Sequence, residues 1–195
     1  ANIYLHPLDV AVTSAGFEIV RYADDFVIMC RTREEAERAL ALVREHVQTR
    51  QLHLHPDKTG LADANAEGFD FLGYHFQEGK RWPRQKAVTK LKENLRTKTK
   101  PTNGHSMAVI VKSLNASLRG WFEYFKHGRP WILIRLDKWI RRRLRTILRR
   151  RSGRRGISRG QDHNRWPNDY FHTELGLFSR GIAHARAVQS ARRTR

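Results

Sequence analysis

Near the start of the chain, two short runs place apolar residues at strand-like spacing. They are Phe17 to Arg21 and Phe26 to Cys30, with Tyr22-Ala23-Asp24-Asp25 between them. Two β-rich runs around a tight acidic link predict an antiparallel hairpin, with Asp24 and Asp25 at or beside its turn. Residues 1–9 read as the tail of a helix that Pro7 stops. From Thr32 the period lengthens: Ala36, Leu40, Val43 and Val47 fall on one helical face, and Thr32 with Glu35 forms a capping box. Leu52 to Leu54 reads as extended, and Pro56-Asp57 as a turn. Phe69 to Phe76 reads as a second strand pair with Gly73 inside it, followed by a turn at Gly79-Lys80.

Past Pro83 the pattern is helical throughout. Three helices are predicted, over residues 84–98, 106–126 and 131–151. Met107, Ile110, Val111, Leu114, Leu118 and Phe122 belong to one continuous apolar stripe on the second, which also takes in Trp121 and Phe125. Ile132, Leu136, Ile140, Leu144 and Ile147 line the third, with Trp139 and Leu148 beside them. Pro101, Asn103 and Gly104 separate the first two helices, and Gly128 and Pro130 the last two. Such short connections favour antiparallel neighbours. Beyond Ser152 comes a Gly/Arg-rich stretch, a compact segment over 165–179 and a basic tail. The expected class is α+β: a hairpin-and-helix part over 1–82, an all-α three-helix part over 83–180, and the tail over 181–195.

Charge adds a partner to this picture. The formal net charge is +19, with Lys+Arg at 38 against Asp+Glu at 19. A surface so basic repels itself unless an anion neutralises it, and a polyphosphate backbone rewards that neutralisation by counterion release. The third helix concentrates the effect. No acid interrupts the chain between Asp137 and Asp162, and Arg141, Arg142, Arg145, Arg149 and Arg150 are the candidate RNA-binding residues. A solvated charged face is the plain alternative, although such faces usually mix signs. An amphipathic membrane-surface helix is another, kept open by Trp131 and Trp139. No apolar run approaches the roughly 18 residues of a spanning helix. Cys30 stands alone, which excludes intramolecular disulfides and suits a reducing compartment. His53 and His55 share a strand face without further ligands, so no zinc site is expected.

Adjacent carboxylates at a hairpin tip repel each other and call for a cation. Mg²⁺ prefers such oxygens and keeps positions open for phosphates. An isolated Asp-Asp pair is usually a solvated turn, so the surrounding motifs matter. Tyr22-Ala23-Asp24-Asp25 resembles the catalytic signature of reverse transcriptases. Leu54-His55-Pro56-Asp57-Lys58-Thr59 resembles the next block of that family, and Phe71-Leu72-Gly73-Tyr74 its primer-grip strand. Leu118-Arg119-Gly120-Trp121-Phe122-Glu123-Tyr124-Phe125 resembles the maturase-specific thumb. Arg165-Trp166-Pro167-Asn168-Asp169-Tyr170-Phe171, with Gly176-Leu177-Phe178, resembles that domain's closing signature. In this order the motifs resemble the group II intron reverse transcriptase/maturase family.

The resemblance implies the end of a polymerase palm over 1–82 and a maturase-specific thumb over 83–180. It implies Asp24 and Asp25 as catalytic Mg²⁺ ligands, and Tyr22, Ala23, Lys58, Leu72 and Gly73 as substrate and primer contacts. Intron RNA, an RNA template and a DNA primer are the implied partners, in a bacterial cytoplasm or an organelle. One departure stands out. Family polymerases carry a further metal-binding aspartate upstream, whereas only Asp9 precedes Asp24 here, in a context that matches a helix end. The chain, opening at Ala1, is therefore read as a C-terminal portion with no polymerase activity of its own. A splicing factor that binds RNA without chemistry is the alternative, as is an inactive remnant. A ribosomal-type basic RNA-binding protein is a third reading, and it would not need the acidic hairpin.

Overall fold

The computed structural model describes residues 2–179 and 183, so the basic tail expected over 181–195 lies, but for one residue, outside the described residues. The chain divides into two compact units, one ending at Gly79 and the other starting at Lys80. The class is α+β.

The first unit opens with helix α1 (Asn2–Ser14), which carries Pro7 in its interior. The expectation that Pro7 ends the helix is thus corrected. The proline removes one backbone hydrogen bond near the helix start, but Leu8 and Val12, one and five residues on, are fully buried. They share a core with Val43 and Val47, and that burial outweighs the lost bond. Strands β1 (Glu18–Tyr22) and β2 (Asp25–Met29) pair antiparallel, from Glu18↔Met29 to Tyr22↔Asp25. Their inner positions Ile19, Phe26 and Ile28 pack on the same core. Helix α2 (Arg33–Thr49) starts with the hydroxyl half of the expected capping box: the Glu35 N–H donates to Thr32 Oγ1 at 3.2 Å, while Glu35 Oε2 accepts at 2.8 Å from the N–H of Arg31, one residue before the cap. Leu52 and Leu54 then pack on the core without entering a strand.

Strands β3 (Phe69–Phe71) and β4 (Tyr74–Gln77) form a second hairpin, with Phe69 opposite Phe76 and their rings stacked 5.3 Å apart. Phe71 pairs with Tyr74, so Gly73 is the second residue of a two-residue turn and not a residue within a strand. Leu72 and Gly73 have φ of 46° and 78°. Positive φ at both central positions is the turn geometry that matches strand twist, and glycine fills the second at no steric cost.

The second unit begins with β5 (Lys80–Pro83) and continues through α3 (Gln85–Lys98), α4 (Met107–Phe125) and α5 (Pro130–Arg151). Ser106 caps α4 by accepting from the Val109 N–H at 3.3 Å, and Pro130 opens α5 where its missing N–H costs nothing. The stripes read from sequence meet in one core, where Leu95, Leu114, Leu118, Leu144 and Ile147 are fully buried. Phe122 is buried and Trp121 half-buried, while Lys112 and Arg119 are exposed, so these aromatics build the interior of the helical unit. Two short helices, α6 (Gln161–Arg165) and α7 (Asn168–Thr173), follow and deliver Phe171 and Leu177 to the same core. Asn115 on α4 secures the end of this segment: its Nδ2 donates to the Gly176 carbonyl and its Oδ1 accepts from the Phe178 N–H, both at 2.8 Å.

Candidate catalytic hairpin and nucleic-acid interface

In the first unit the β1–β2 register leaves Ala23 and Asp24 as a two-residue loop, with Asp25 as the first residue of β2. Ala23 sits at φ 56°, a conformation that costs a non-glycine residue about 1–2 kcal/mol. A guanidinium holds it there. Arg21 Nη1 donates to the Ala23 carbonyl at 2.7 Å and to Asn2 Oδ1 at 3.1 Å. Its Nε and Nη2 form a bidentate pair with Asp9, at 2.7 and 2.6 Å. This bond to Arg21 holds the Asp9 carboxyl below the usual carboxylate range. Asp9, the only acid ahead of Asp24 apart from Glu18 on β1, is thus committed to tying α1 to the turn.

Asp24 and Asp25 are exposed, and no cationic side chain pairs with either among the described residues. Two hard oxygen donors without a counter-charge fit Mg²⁺ as ligands. They fit as part of a site: among the described residues no three His, Cys, Asp or Glu side chains are grouped to hold a metal ion. Tyr22 is two-thirds exposed beside them. Lys58 is exposed on a turn of its own, where the Lys58 and Thr59 N–H groups donate to the His55 carbonyl at 3.2 and 3.0 Å. Leu72 and Gly73 form the tip of the second hairpin.

In the second unit the arginines of α5 divide into two sets. Arg142 and Arg150 are exposed, and so are Arg154, Arg155 and Arg159 after the helix. Arg145 is buried, contrary to its expected place on an RNA-facing arc. Its Nε donates to the Trp166 carbonyl and its Nη2 to Asn168 Oδ1, both at 2.7 Å, and its plane covers the Phe171 ring. Arg149 turns to the fully buried carboxylate of Asp162 at 2.8 Å, and its Nε donates to the Arg155 carbonyl. Arg141 bonds Asn168 Oδ1 at 3.1 Å and His172 Nε2 at 3.2 Å. Three of the five arginines assigned to RNA therefore latch the chain after α5 back onto the helix, Arg141 and Arg145 holding the closing segment and Arg149 the stretch before it. Arg143 leads elsewhere: it donates to Thr99 and covers Trp139, which Arg96 and Lys92 also flank.

Residues 1–76 match the family model described as reverse transcriptase (RNA-dependent DNA polymerase), and residues 88–166 match the group II intron, maturase-specific domain. The chain belongs to the group II intron reverse transcriptase/maturase family. A search of curated proteins returned no match. In this maturase chain, sequence reasoning passed over Arg21 and its tie to Asp9, over Asn115, and over the pair Asp162 and Asn168. Asp162 did carry a signal, as the first acid after a long basic run. Asn168 lay inside a recognised motif without an assigned role. No helix among the described residues is long and apolar enough to cross a membrane.

Proposed function

We propose that this chain holds folded intron RNA on the exposed arginines of its helical unit, and that its acidic hairpin supplies two Mg²⁺ ligands to a reverse-transcriptase active site. The observation that carries the RNA reading is the outward set of arginines. Arg150, Arg155 and Arg159 are exposed, and no acceptor takes their side chains among the described residues. Unpaired guanidiniums on a chain of net charge +19 match the charge and donor chemistry that a phosphate backbone calls for. Two-metal chemistry, when the ions are bound, activates a 3′-hydroxyl and neutralises the departing pyrophosphate. The residues present here do the holding. Asp24 and Asp25 offer the oxygens, and Arg21, tied to Asp9, fixes the turn that carries them. On the same reading Tyr22 and Ala23 border the incoming nucleotide, and Lys58, Leu72 and Gly73 attend the nucleotide or primer. Template RNA and DNA primer are the substrates of the complete activity, and a reducing cytoplasm suits the lone Cys30.

Titrations of a labelled RNA stem-loop at two salt concentrations test the RNA part. Affinity falls by on the order of 100-fold or more between about 50 and 200 mM salt if several phosphates are touched. Replacing Arg150, Arg155 and Arg159 with Gln flattens the salt slope by roughly one unit for each phosphate that the variant no longer reaches. No binding by the wild type at low salt would overturn the reading. The chain alone is expected to give no primer extension on an RNA template, because Asp9 is engaged by Arg21, Glu18 lies at the far end of the hairpin, and two carboxylates remain at its turn. Mg²⁺-dependent extension that Asp24→Asn abolishes would show this expectation wrong.

A further inference from the structure

Helix α5 and the segment that follows it enclose a cleft whose lining is Lys138, Arg141, Arg142, Arg145, Ser158, His163 and Asn168, with no carboxylate among the described residues that line it. Its floor has an unusual electrostatic arrangement. One neutral atom, Asn168 Oδ1, accepts from both Arg141 Nε at 3.1 Å and Arg145 Nη2 at 2.7 Å, so two like charges are held side by side. Arg145 is 2% exposed, and its hydrogen-bond acceptors are an amide oxygen and the Trp166 carbonyl. Burial, then the charge of Arg141, pushes its pKa down, with Asp162 acting the other way. Asp162 is itself engaged by Arg149 Nη1 and by the Arg159 N–H, at 2.8 and 2.9 Å. At the rim, Lys138 and Arg142 are exposed, and neither side chain has a partner among the described residues. A buried cation without a direct counter-ion, beside a second cation, is unfavourable until a negative charge reaches it.

We propose that this cleft seats one backbone phosphate of the bound RNA, with Asn168 as the positioning residue that presents Arg141 to it. The inference rests on the RNA-binding reading above. Phosphate oxygens match the donor forks of Arg141 and Arg142, and Lys138 adds a point charge at the rim. No acceptor among the described residues takes Arg141 Nη2, so it serves the ligand. An RNA phosphate is favoured over a free one because further exposed cations, Arg150, Arg154 and Arg155, lie in the last turn of the same helix and just after it. Only a polyanion reaches the cleft and those side chains together.

Asn168→Asp separates a binding role from a structural one. The new carboxylate still accepts from Arg141 and Arg145, so the segment stays latched and the thermal midpoint holds or rises. It also supplies inside the cleft the negative charge that the phosphate would otherwise bring. In the full chain, Asn168→Asp and, independently, Lys138→Gln should each weaken binding of a labelled RNA stem-loop by about 3- to 10-fold at low salt. Each should also lower the log–log salt slope by about one unit. Inorganic phosphate, compared with chloride at equal ionic strength, is the second probe. RNA affinity and slope unchanged in both variants would overturn the proposal and leave the wider RNA reading in place. A phosphate-induced rise in the midpoint, absent from the variants while RNA binding is unchanged, would assign the cleft to a free phosphate and equally overturn it. A wild type that binds no RNA would remove the wider reading, and this one with it. Should Asn168→Asp fail to fold, Lys138→Gln decides alone, because that exposed side chain has no partner among the described residues.

Discussion

Arg142 and Arg145 are three residues apart on α5, yet the first ends in solvent and the second between Trp166, Asn168 and Phe171. Both flank the same Ile/Leu stripe, and a long aliphatic stem allows a guanidinium either to reach water or to fold under a neighbouring segment. Replacing Arg145 with Gln leaves the Trp166 carbonyl and the Asn168 amide short of donors. It should cost about 2 kcal/mol of stability in denaturant titration, whereas Arg142→Gln should leave stability unchanged. Asp162 gives a pH test. Its carboxyl is held below the ordinary value by the Arg159 N–H, then by Arg149 and Arg154, so its contribution is complete above the unfolded pKa of about 3.9 and is lost as pH falls through the lower folded value. The midpoint gap between wild type and Asp162→Asn should therefore be constant above about pH 5 and close towards pH 2. A gap that persists undiminished at the acid end would refute the role of this carboxylate. The run of arginines was legible in the sequence. Which of them turn inward was not, because that choice depends on carbonyl and amide oxygens some twenty residues downstream.

At the scale of elements, periodicity carried most of the information. The stripes on α4 and α5 located those helices, the capping residue Thr32 located the start of α2, and the acidic link between two apolar runs located the first hairpin. Pro7 misled because a local rule was read without the burial of Leu8 and Val12 that overrides it. Leu72-Gly73 escaped notice as a turn because leucine is a poor residue for positive φ, and only the glycine hinted at it. Two substitutions test the elements. Leu114→Ala in the fully buried stripe of α4 should cost about 3 kcal/mol, measured by chemical denaturation. Ala23→Val places a β-branched residue at φ 56° and should destabilise the hairpin by about 1–2 kcal/mol. Hydrogen exchange at the β1–β2 amides would report it, and a hairpin as protected as the wild type would contradict the strained turn.

Across the whole molecule, a net charge of +19 makes salt act in two directions. For the free protein, added salt screens self-repulsion and should raise the thermal midpoint. For the complex, the same salt weakens RNA binding. Scans of the free chain and of the RNA-bound chain across one salt series should therefore converge, and parallel curves would mean that the bound RNA neutralises little of this charge. The Asn115 clasp adds a consequence for the length of chain that can be cut away. A version ending after Ser179 keeps both bonds of Asn115 and the buried Leu177. A version ending after Leu175 loses both bonds, strips a side chain from the core, and leaves the amide of Asn115 facing a vacated groove. Between those two stop positions lies the shortest polypeptide that closes its own helical unit, and limited proteolysis should find its last stable product there.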